Sequence, residues 1–288
     1  MDAPEVLIAG PATWNRMIEL DRLPEPRPHM QFATGWFDAV GGTSAGKALG
    51  LTALGRRVAL HALLGDDEPG RRVAAALEGA RVPLLAAGAD VTEQHCNLMT
   101  PAGERVSLFL ATPTPVAAEP PAGVLEALEA ARVAVLDLSG LGASLLPAAA
   151  ERGIPVWTDL HDYDGENPFH EPFIAAADVA FCNADGVGGR PDALLDSLVA
   201  RGIRIAVCTL GAEGAVAVTA DEPGVRHRVA AVPVDVVDTN GAGDAFVAGF
   251  LDAHLAGAAL EDCLAAASAD AALALTTRNL HPVLDRAP

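Results

Sequence analysis

The chain has 288 residues, 51% of them hydrophobic, which is enough to bury the core of one large α/β domain. Its formal net charge of −19 argues against nucleic acid as a partner, because nucleic-acid phosphates require a basic footprint. No segment is both long and apolar enough to span a membrane, and the N-terminal residues lack the basic region of a signal peptide.

Short apolar segments alternate with stretches rich in alanine and leucine along the chain. Val6–Ala9, Val133–Leu136 and Ile205–Cys208 are predicted as buried parallel strands, and the stretches between such segments as helices. A further strand is predicted from Ile154 to Trp157. This alternation predicts an α/β fold with a doubly wound, mostly parallel sheet and helices on both faces. The four cysteines are far apart and lack metal-ligand spacing, which favours reduced thiols and a cytoplasmic location.

Two segments depart from this alternation. The first, Thr13 to Val40, mixes aromatic, β-branched and proline residues and predicts a strand, a proline loop and a second strand. The second predicts a hairpin, with strands at Gln94–Met99 and Arg105–Ala111. Together they predict a small second sheet. No internal repeat is evident, so we expect one main domain over residues 1–288.

The stretch 238–246, Asp-Thr-Asn-Gly-Ala-Gly-Asp-Ala-Phe, leads into an apolar helical run. Small residues let an anion approach the backbone, and the first N–H groups and the dipole of a helix favour negative charge there. Gly241, Ala242 and Gly243 can therefore stabilise a transferred phosphoryl group. Asp244 can accept a proton from a hydroxyl, although the helix end should favour its ionised form. The alternative is an N-cap with a first-turn acid.

This stretch resembles the C-terminal signature of the ribokinase-like (PfkB) carbohydrate and nucleoside kinase family, Asp-Thr-(Thr/Asn)-Gly-Ala-Gly-Asp-(Ala/Ser)-Phe. Residues 41–55, 64–70 and 207–215 resemble further motifs of that family, in the same order. The resemblance implies an ATP-dependent kinase for a hydroxyl of a sugar or sugar-like molecule. It also implies a β lid, formed by about 12–40 and 92–112, as a candidate homodimer interface.

The resemblance also implies roles for individual residues. Asp244 would be the catalytic base, with Gly241 to Gly243 as the anion hole. The nucleotide and its Mg²⁺ would lie near Asn183, Thr209, Gly211, Gly214 and Asn279. Asp185 either takes the place of the acid that the family commonly has one position later, or caps a helix. The acceptor would lie near Asn15, Gly41 and Gly42. Ser139, just past a predicted strand, is expected in the same crevice, because ligands bind at the carboxyl ends of strands in open α/β sheets. Asp238 either shapes its loop or helps to hold a monovalent cation such as K⁺.

Three positions depart from the family pattern. Asn15 stands where an Asp is usual, Gly46 stands where many sugar kinases have Asn, and Gly186 stands where an acid near the magnesium ion is common. Because the anion hole and the base are intact, we expect phosphoryl transfer to an unusual acceptor. A nucleoside kinase of the same family and a catalytically silent ligand-binding regulator remain alternatives.

The sequence contains two other candidate sites. Residues 41–48 nearly match the P-loop pattern, but Ala48 lacks the hydroxyl that the magnesium ion requires. Lys47 is therefore interpreted as a surface or acceptor-side residue on the first helix. A metal site from His161 with Asp159 or Asp162 is the second, with a solvated loop as the plainer interpretation, and no metal ligand is assigned.

Overall fold

The computed structural model describes residues 3–286. The strands are β1 Val6–Ala9, β2 Thr13–Glu19, β3 Gly35–Gly41, β4 Val58–Gly65, β5 Leu84–Ala89, β6 Gln94–Met99, β7 Arg105–Ala111, β8 Val133–Leu136, β9 Val156–Asp159, β10 Val179–Asn183, β11 Ile205–Thr209, β12 Ala215–Thr219 and β13 His227–Val229. The α-helices are α1 Thr43–Ala53, α2 Glu68–Gly79, α3 Ala122–Ala130, α4 Gly140–Arg152, α5 Glu171–Ala176, α6 Asp192–Ala200, α7 Ala242–Leu255 and α8 Leu260–Ala274.

The main sheet has nine strands in the order β13-β12-β11-β10-β9-β8-β1-β4-β5. Every pair from β11 to β5 is parallel, and the two remaining pairs, at the β13 edge, are antiparallel. The first strand, β1, is the third from the β5 edge, and the chain winds outward from it in both directions. The predicted doubly wound, mostly parallel sheet is confirmed.

Helices cover both faces of this sheet, because successive strand residues point to opposite sides. On β1, Val6 and Ile8 belong to a core cluster with α1, α2, α7 and α8. Leu7 and Ala9 belong to a second cluster with α3, α4, α5 and α6. All four side chains are fully buried, which explains the unbroken apolar run in the sequence.

The two predicted excursions form one small sheet with the strand order β3-β2-β6-β7. β6 and β7 pair antiparallel over the residues that the hairpin prediction gave, and β2 joins the excursions by pairing parallel with β6. Within residues 3–286, no helix is long and apolar enough to cross a membrane. The four cysteines are free thiols.

One strand boundary differs from its prediction in a way that affects the site. The expected strand from Ile154 to Trp157 is β9, and it runs from Val156 to Asp159. Helix α4 accounts for the shift, because Gly153 ends it in the left-handed conformation and the Ile154 N–H still bonds to Ala149 O. Asp159 is therefore the last residue of a buried strand.

Helix α4 begins close behind the end of β8. Ser139 is its N-cap and accepts a hydrogen bond from the Gly142 N–H at 2.9 Å. A Cβ at Gly142 would collide with the backbone carbonyl of Asp137, whereas a Cβ at Gly140 would meet no atom within 4 Å. The approach at Gly142 fixes the backbone that carries Asp137.

We expect Gly142→Ala to lower the free energy of unfolding by about 1–3 kcal/mol, because the methyl group must displace backbone. Gly140→Ala is the matched control in the same helical turn and should lie within about 1 kcal/mol of wild type. Urea denaturation of both variants measures the difference. Equal stability of the two variants would contradict this packing.

Candidate active site

A cavity of about 1660 Å³ lies between the carboxyl edge of the main sheet and the small sheet. The main sheet contributes residues that follow its strands, including Ser139, Asp159 and Asn183, and the small sheet contributes residues such as Asn15 and His95. Ligand pockets for one small molecule usually measure about 300–1000 Å³. This cavity is large enough for two substrates.

The N-terminus of α7 opens into this cavity. Gly241 is its N-cap in the left-handed conformation (φ 81°), and a Cβ there would collide with the Leu280 carbonyl. Gly241, Gly243 and Asp244 line the cavity. The first intrahelical bond runs from the Ala245 N–H to Gly241 O, so the amides before Ala245 are the ones a helix leaves for an anion.

Asp244 lies in the first turn of α7, and its side chain is 13% exposed. Thr43, at the start of α1, donates a hydrogen bond to its Oδ1. Burial raises the pKa of Asp244 to about 6, although the Lys47 ammonium and the Thr43 hydroxyl act to lower it. The expectation that the helix end would favour the ionised form is therefore wrong in its net effect, because burial outweighs it.

Lys47 is fully buried, so its interpretation as a surface residue is wrong. Its Nζ lies 2.9 Å from Asp137 Oδ1, 3.3 Å from Asp159 Oδ2 and 3.5 Å from Asp244 Oδ1. Burial alone would lower the pKa of Lys47, but the three carboxylates hold it above its usual value. Sequence reasoning missed this cluster, although one signal was present: Lys47 is the only lysine among 19 basic residues.

The space around position 46 explains why a glycine is found there. A Cβ at Gly46 would collide with the Asp244 carboxylate, which packs directly against this turn of α1. An asparagine in that place would displace the carboxylate. The departure from the family pattern at Gly46 thus leaves room for the Asp244 carboxylate against α1.

Asn15 lies on β2 and is buried at the cavity wall. Its Oδ1 accepts hydrogen bonds from the Thr13 hydroxyl at 2.7 Å and the His95 N–H at 3.2 Å. Its amide nitrogen lies against Gly41, where a Cβ would collide with it. The oxygen is held by the small sheet, which leaves the amide group as a donor at the cavity wall.

Two of the three remaining predicted acceptor residues line the cavity. They are Gly42 (φ 95°), the N-cap of α1, and Ser139, whereas Gly41 is not among the lining residues. Sequence reasoning missed His95 and Asn97, which line the cavity from β6. Their spacing of two residues on one strand is the signal that could have identified them.

Among the predicted nucleotide residues, Asn183 and Thr209 are register partners at the carboxyl ends of β10 and β11. Both line the cavity, together with Asp185. Asn183 Oδ1 accepts the Asp185 N–H at 3.0 Å. A Cβ at Gly186 would collide with the Asp162 carbonyl, so the acid that the family commonly has there would not fit this backbone.

Three predicted nucleotide residues are not among those that line the cavity. Gly214 (φ 97°) packs against the backbone of Val229, and Gly211 (φ 57°) begins the short turn before it. Asn279 donates a hydrogen bond to Asp285 Oδ1 at 2.7 Å. Their nucleotide contacts stay predictions.

Asp238 and His161 are the residues of the two cation hypotheses. Asp238 Oδ1 accepts the Asn240 N–H at 2.8 Å, so this carboxylate shapes the loop before α7, and burial raises its pKa. His161 Nδ1 lies 3.7 Å from Asp159 Oδ2. Across residues 3–286, no three His, Cys, Asp or Glu side chains are grouped so that they could hold a metal ion.

Comparisons with known proteins relate the whole chain to one family. The model of the pfkB family carbohydrate kinases matches residues 11–285. The acarbose 7(IV)-phosphotransferase of Actinoplanes sp. is 34% identical over 268 residues, which cover 90% of this chain and 88% of that protein. A solved structure of a microbiome-derived acarbose kinase is 29% identical with a TM-score of 0.83, covering 99% of this chain and 98% of that one.

The fold agrees with a further solved structure. Arabidopsis thaliana ribokinase, complexed with ribose and ATP, has a TM-score of 0.80 at 22% identity and covers 98% of this chain and 95% of its own. The P-loop alternative does not hold, because β3 before residues 41–48 belongs to the small sheet and Lys47 turns into the carboxylate cluster. The chain belongs to the pfkB family of carbohydrate kinases, which are phosphotransferases with an alcohol group as acceptor.

Proposed function

We propose that this enzyme transfers the γ-phosphoryl group of ATP to a hydroxyl of a sugar or sugar-like molecule, with Asp244 as the base. The observation that supports it most is the position of the Asp244 carboxylate, buried at the cavity wall beside the free amides of α7. A base and an anion site on one helical turn are what this transfer requires.

In the proposed transfer one bond to phosphorus forms and one breaks. The acceptor hydroxyl lies against Asp244, which takes its proton as the oxygen bonds to the γ-phosphorus. The bond from that phosphorus to the β,γ-bridging oxygen breaks, and ADP leaves with the electron pair. Amides of Gly241 to Asp244 stabilise the charge on the transferring group. The resting partner of Asp244, the Thr43 hydroxyl, marks where an acceptor hydroxyl would donate.

We propose a sugar-like acceptor larger than one pyranose as the first candidate. Two relatives across nearly the whole chain are an acarbose phosphotransferase and an acarbose kinase. The cavity also extends from Asp244 along the small sheet to the proline-rich segment 112–121. Asn15, Gly42 and Ser139 would contact the acceptor. A nucleoside acceptor is the alternative, because a nucleoside kinase of Methanothermobacter thermautotrophicus is 27% identical over 92% of this chain.

A magnesium ion fits the nucleotide side of the cavity. Mg²⁺ prefers carboxylate and water oxygens together with substrate phosphates, and the exposed Asp185 carboxylate supplies an oxygen donor at the cavity wall beside Asn183. Asp185 would hold the ion, which neutralises phosphate charge when bound. A K⁺ ion near Asp238 stays a proposal of lower priority, because that carboxylate already accepts a backbone hydrogen bond.

We further propose a cytoplasmic homodimer that forms through the small sheet. Its edge strand β7 exposes the large apolar side chains Val106, Leu108, Phe109 and Leu110. A long apolar edge strand is a natural site for association with a second copy. Phe109 also lines the cavity, so such a dimer would form beside the acceptor site.

We expect Asp244→Asn to lower kcat about 10²–10⁴-fold and leave ATP affinity nearly unchanged, because the amide keeps the shape but cannot take the proton. ADP release from MgATP is measured for both proteins with acarbose, pentoses, hexoses, polyols and nucleosides. Acceptor-dependent turnover that persists in the variant would contradict the mechanism, and binding of acceptor without turnover in wild type would contradict the function.

The pH dependence follows from the raised pKa of Asp244. As the pH falls through about 6, Asp244 becomes protonated and can no longer accept the proton, so kcat/KM for the acceptor should fall. Rates with an uncharged acceptor between about pH 5 and 8.5 measure the midpoint. A rate independent of pH over this range would contradict the role of Asp244.

The two glycines of the anion site should behave differently. A Cβ at Gly243 meets no atom within 4 Å and would stand in the cavity, so Gly243→Ala should keep the melting temperature of wild type but lower kcat on the order of 10²-fold. Gly241→Ala should lower the melting temperature, because its methyl group collides with the Leu280 carbonyl at positive φ. Full activity of Gly243→Ala would exclude the anion role.

A further inference from the structure

The single lysine of the chain is placed in the interior and not at the surface, where lysine side chains usually lie. Lys47 projects from α1 toward three carboxylates, carried by the ends of β8 and β9 and by the first turn of α7. Its Nζ also donates to the Thr43 hydroxyl, which in turn donates to Asp244. Burial of an unpaired charge is costly, so these groups depend on one another.

Asp244 is surrounded by charged and polar groups from α1, β8 and β9. From α1, it faces the Lys47 ammonium and the Thr43 hydroxyl. Asp137, at the end of β8, binds Lys47 and accepts the Ser44 hydroxyl at 2.6 Å. Asp159, at the end of β9, lies near Lys47 and the His161 ring. Lys47 is thus the counter-ion that the three carboxylates share.

We propose that Lys47 is a positioning residue for the phosphoryl transfer: its ammonium holds the Asp244 carboxylate in its seat on α1 and keeps it available as the proton acceptor. The inference rests on Asp244 being the base, as proposed above. Lys47 acts on the acceptor through Asp244. It contacts that carboxylate directly and also through the Thr43 hydroxyl. Asp137 fixes the ammonium in turn.

The space at Gly46 supports this role. Asp244 reaches Lys47 only because no side chain at position 46 stands between its carboxylate and α1. Gly46 and Lys47 are consecutive, so one turn of α1 supplies both the space and the charge. A carboxylate drawn toward α1 keeps Oδ1 beside Thr43, where the acceptor hydroxyl would approach.

The direction of the effect on the titration follows from charge. Burial raises the pKa of Asp244 to about 6, and the Lys47 ammonium keeps it from rising further. Removal of the ammonium should therefore raise this pKa and leave less of the base ionised near neutral pH. Removal of Asp137 has the opposite but smaller effect, because it is the weaker of the two influences on Asp244.

The single lysine permits a test that does not require turnover. Full-length protein labelled with ¹⁵N at lysine Nζ should give one side-chain signal, which is followed by NMR between about pH 4.5 and 8. We expect an inflection near pH 6 that disappears in Asp244→Asn. Asp252→Asn is the matched control, because it removes a carboxylate on the same helix that pairs with Arg56, and it should keep the inflection.

Two results of the NMR experiment would overturn the proposal. One is a signal without an inflection in wild type, which would mean that Lys47 does not sense the base. The other is an inflection that persists in Asp244→Asn, which would assign it to a group other than Asp244. Neither result depends on a phosphoryl acceptor. The experiment can therefore contradict this proposal without contradicting the proposed function.

Kinetics test the consequence for the reaction. Lys47→Met alone leaves Asp137 unpaired in the interior and can fail to fold. Lys47→Met/Asp137→Asn removes one charge of each sign and keeps the net charge of the cluster. We expect kcat of this double variant to fall on the order of 10²-fold, while the KM for ATP stays within a few-fold. The midpoint of the acidic side of its pH–rate profile should rise by about one pH unit. A folded double variant with the wild-type pH midpoint would show a purely structural role.

Discussion

One buried ammonium offsets part of the charge of three carboxylates at the centre of this molecule. Asp137, Asp159 and Asp244 come from three different elements, and each carboxylate would be costly to bury without a cation. Lys47 lies within 3.5 Å of all three. The carboxyl edge of the sheet and the N-termini of α1 and α7 therefore meet at this side chain, and hydrogen bonds from Thr43 and Ser44 of α1 join the same elements.

The packing of α1 on α7 is adapted to this arrangement. Gly46 faces Asp244, and one turn further along both helices Gly50 faces Ala248, where a Cβ on Gly50 would lie 2.8 Å from the alanine methyl carbon. Small residues at a spacing of four let the two helices approach closely along one stripe. This close approach brings a carboxylate at the start of α7 within reach of a lysine on α1.

The sequence predicted the fold class and the turn of small residues that begins α7 for clear physical reasons. Buried parallel strands give unbroken apolar runs, and a small-residue turn before an apolar helix is local in the chain, so both can be identified without knowledge of distant contacts. Lys47 could not be placed in this way. Its partners lie about 90 or more residues away in the chain, and its burial depends on three other elements. The effect of burial on Asp244 was missed for the same reason, because a helix end is visible in a sequence and burial is not.

The departures from the family pattern are better explained by packing than by loss of function. At Gly46 the space is taken by the Asp244 carboxylate, and at Gly186 it is taken by the Asp162 carbonyl. At Asn15 the side-chain oxygen is bound within the small sheet. A site that had lost its activity would have no reason to keep this carboxylate buried beside a lysine. The cost of that burial is understandable if Asp244 must be both desolvated and able to accept a proton, which is the requirement for a base in phosphoryl transfer.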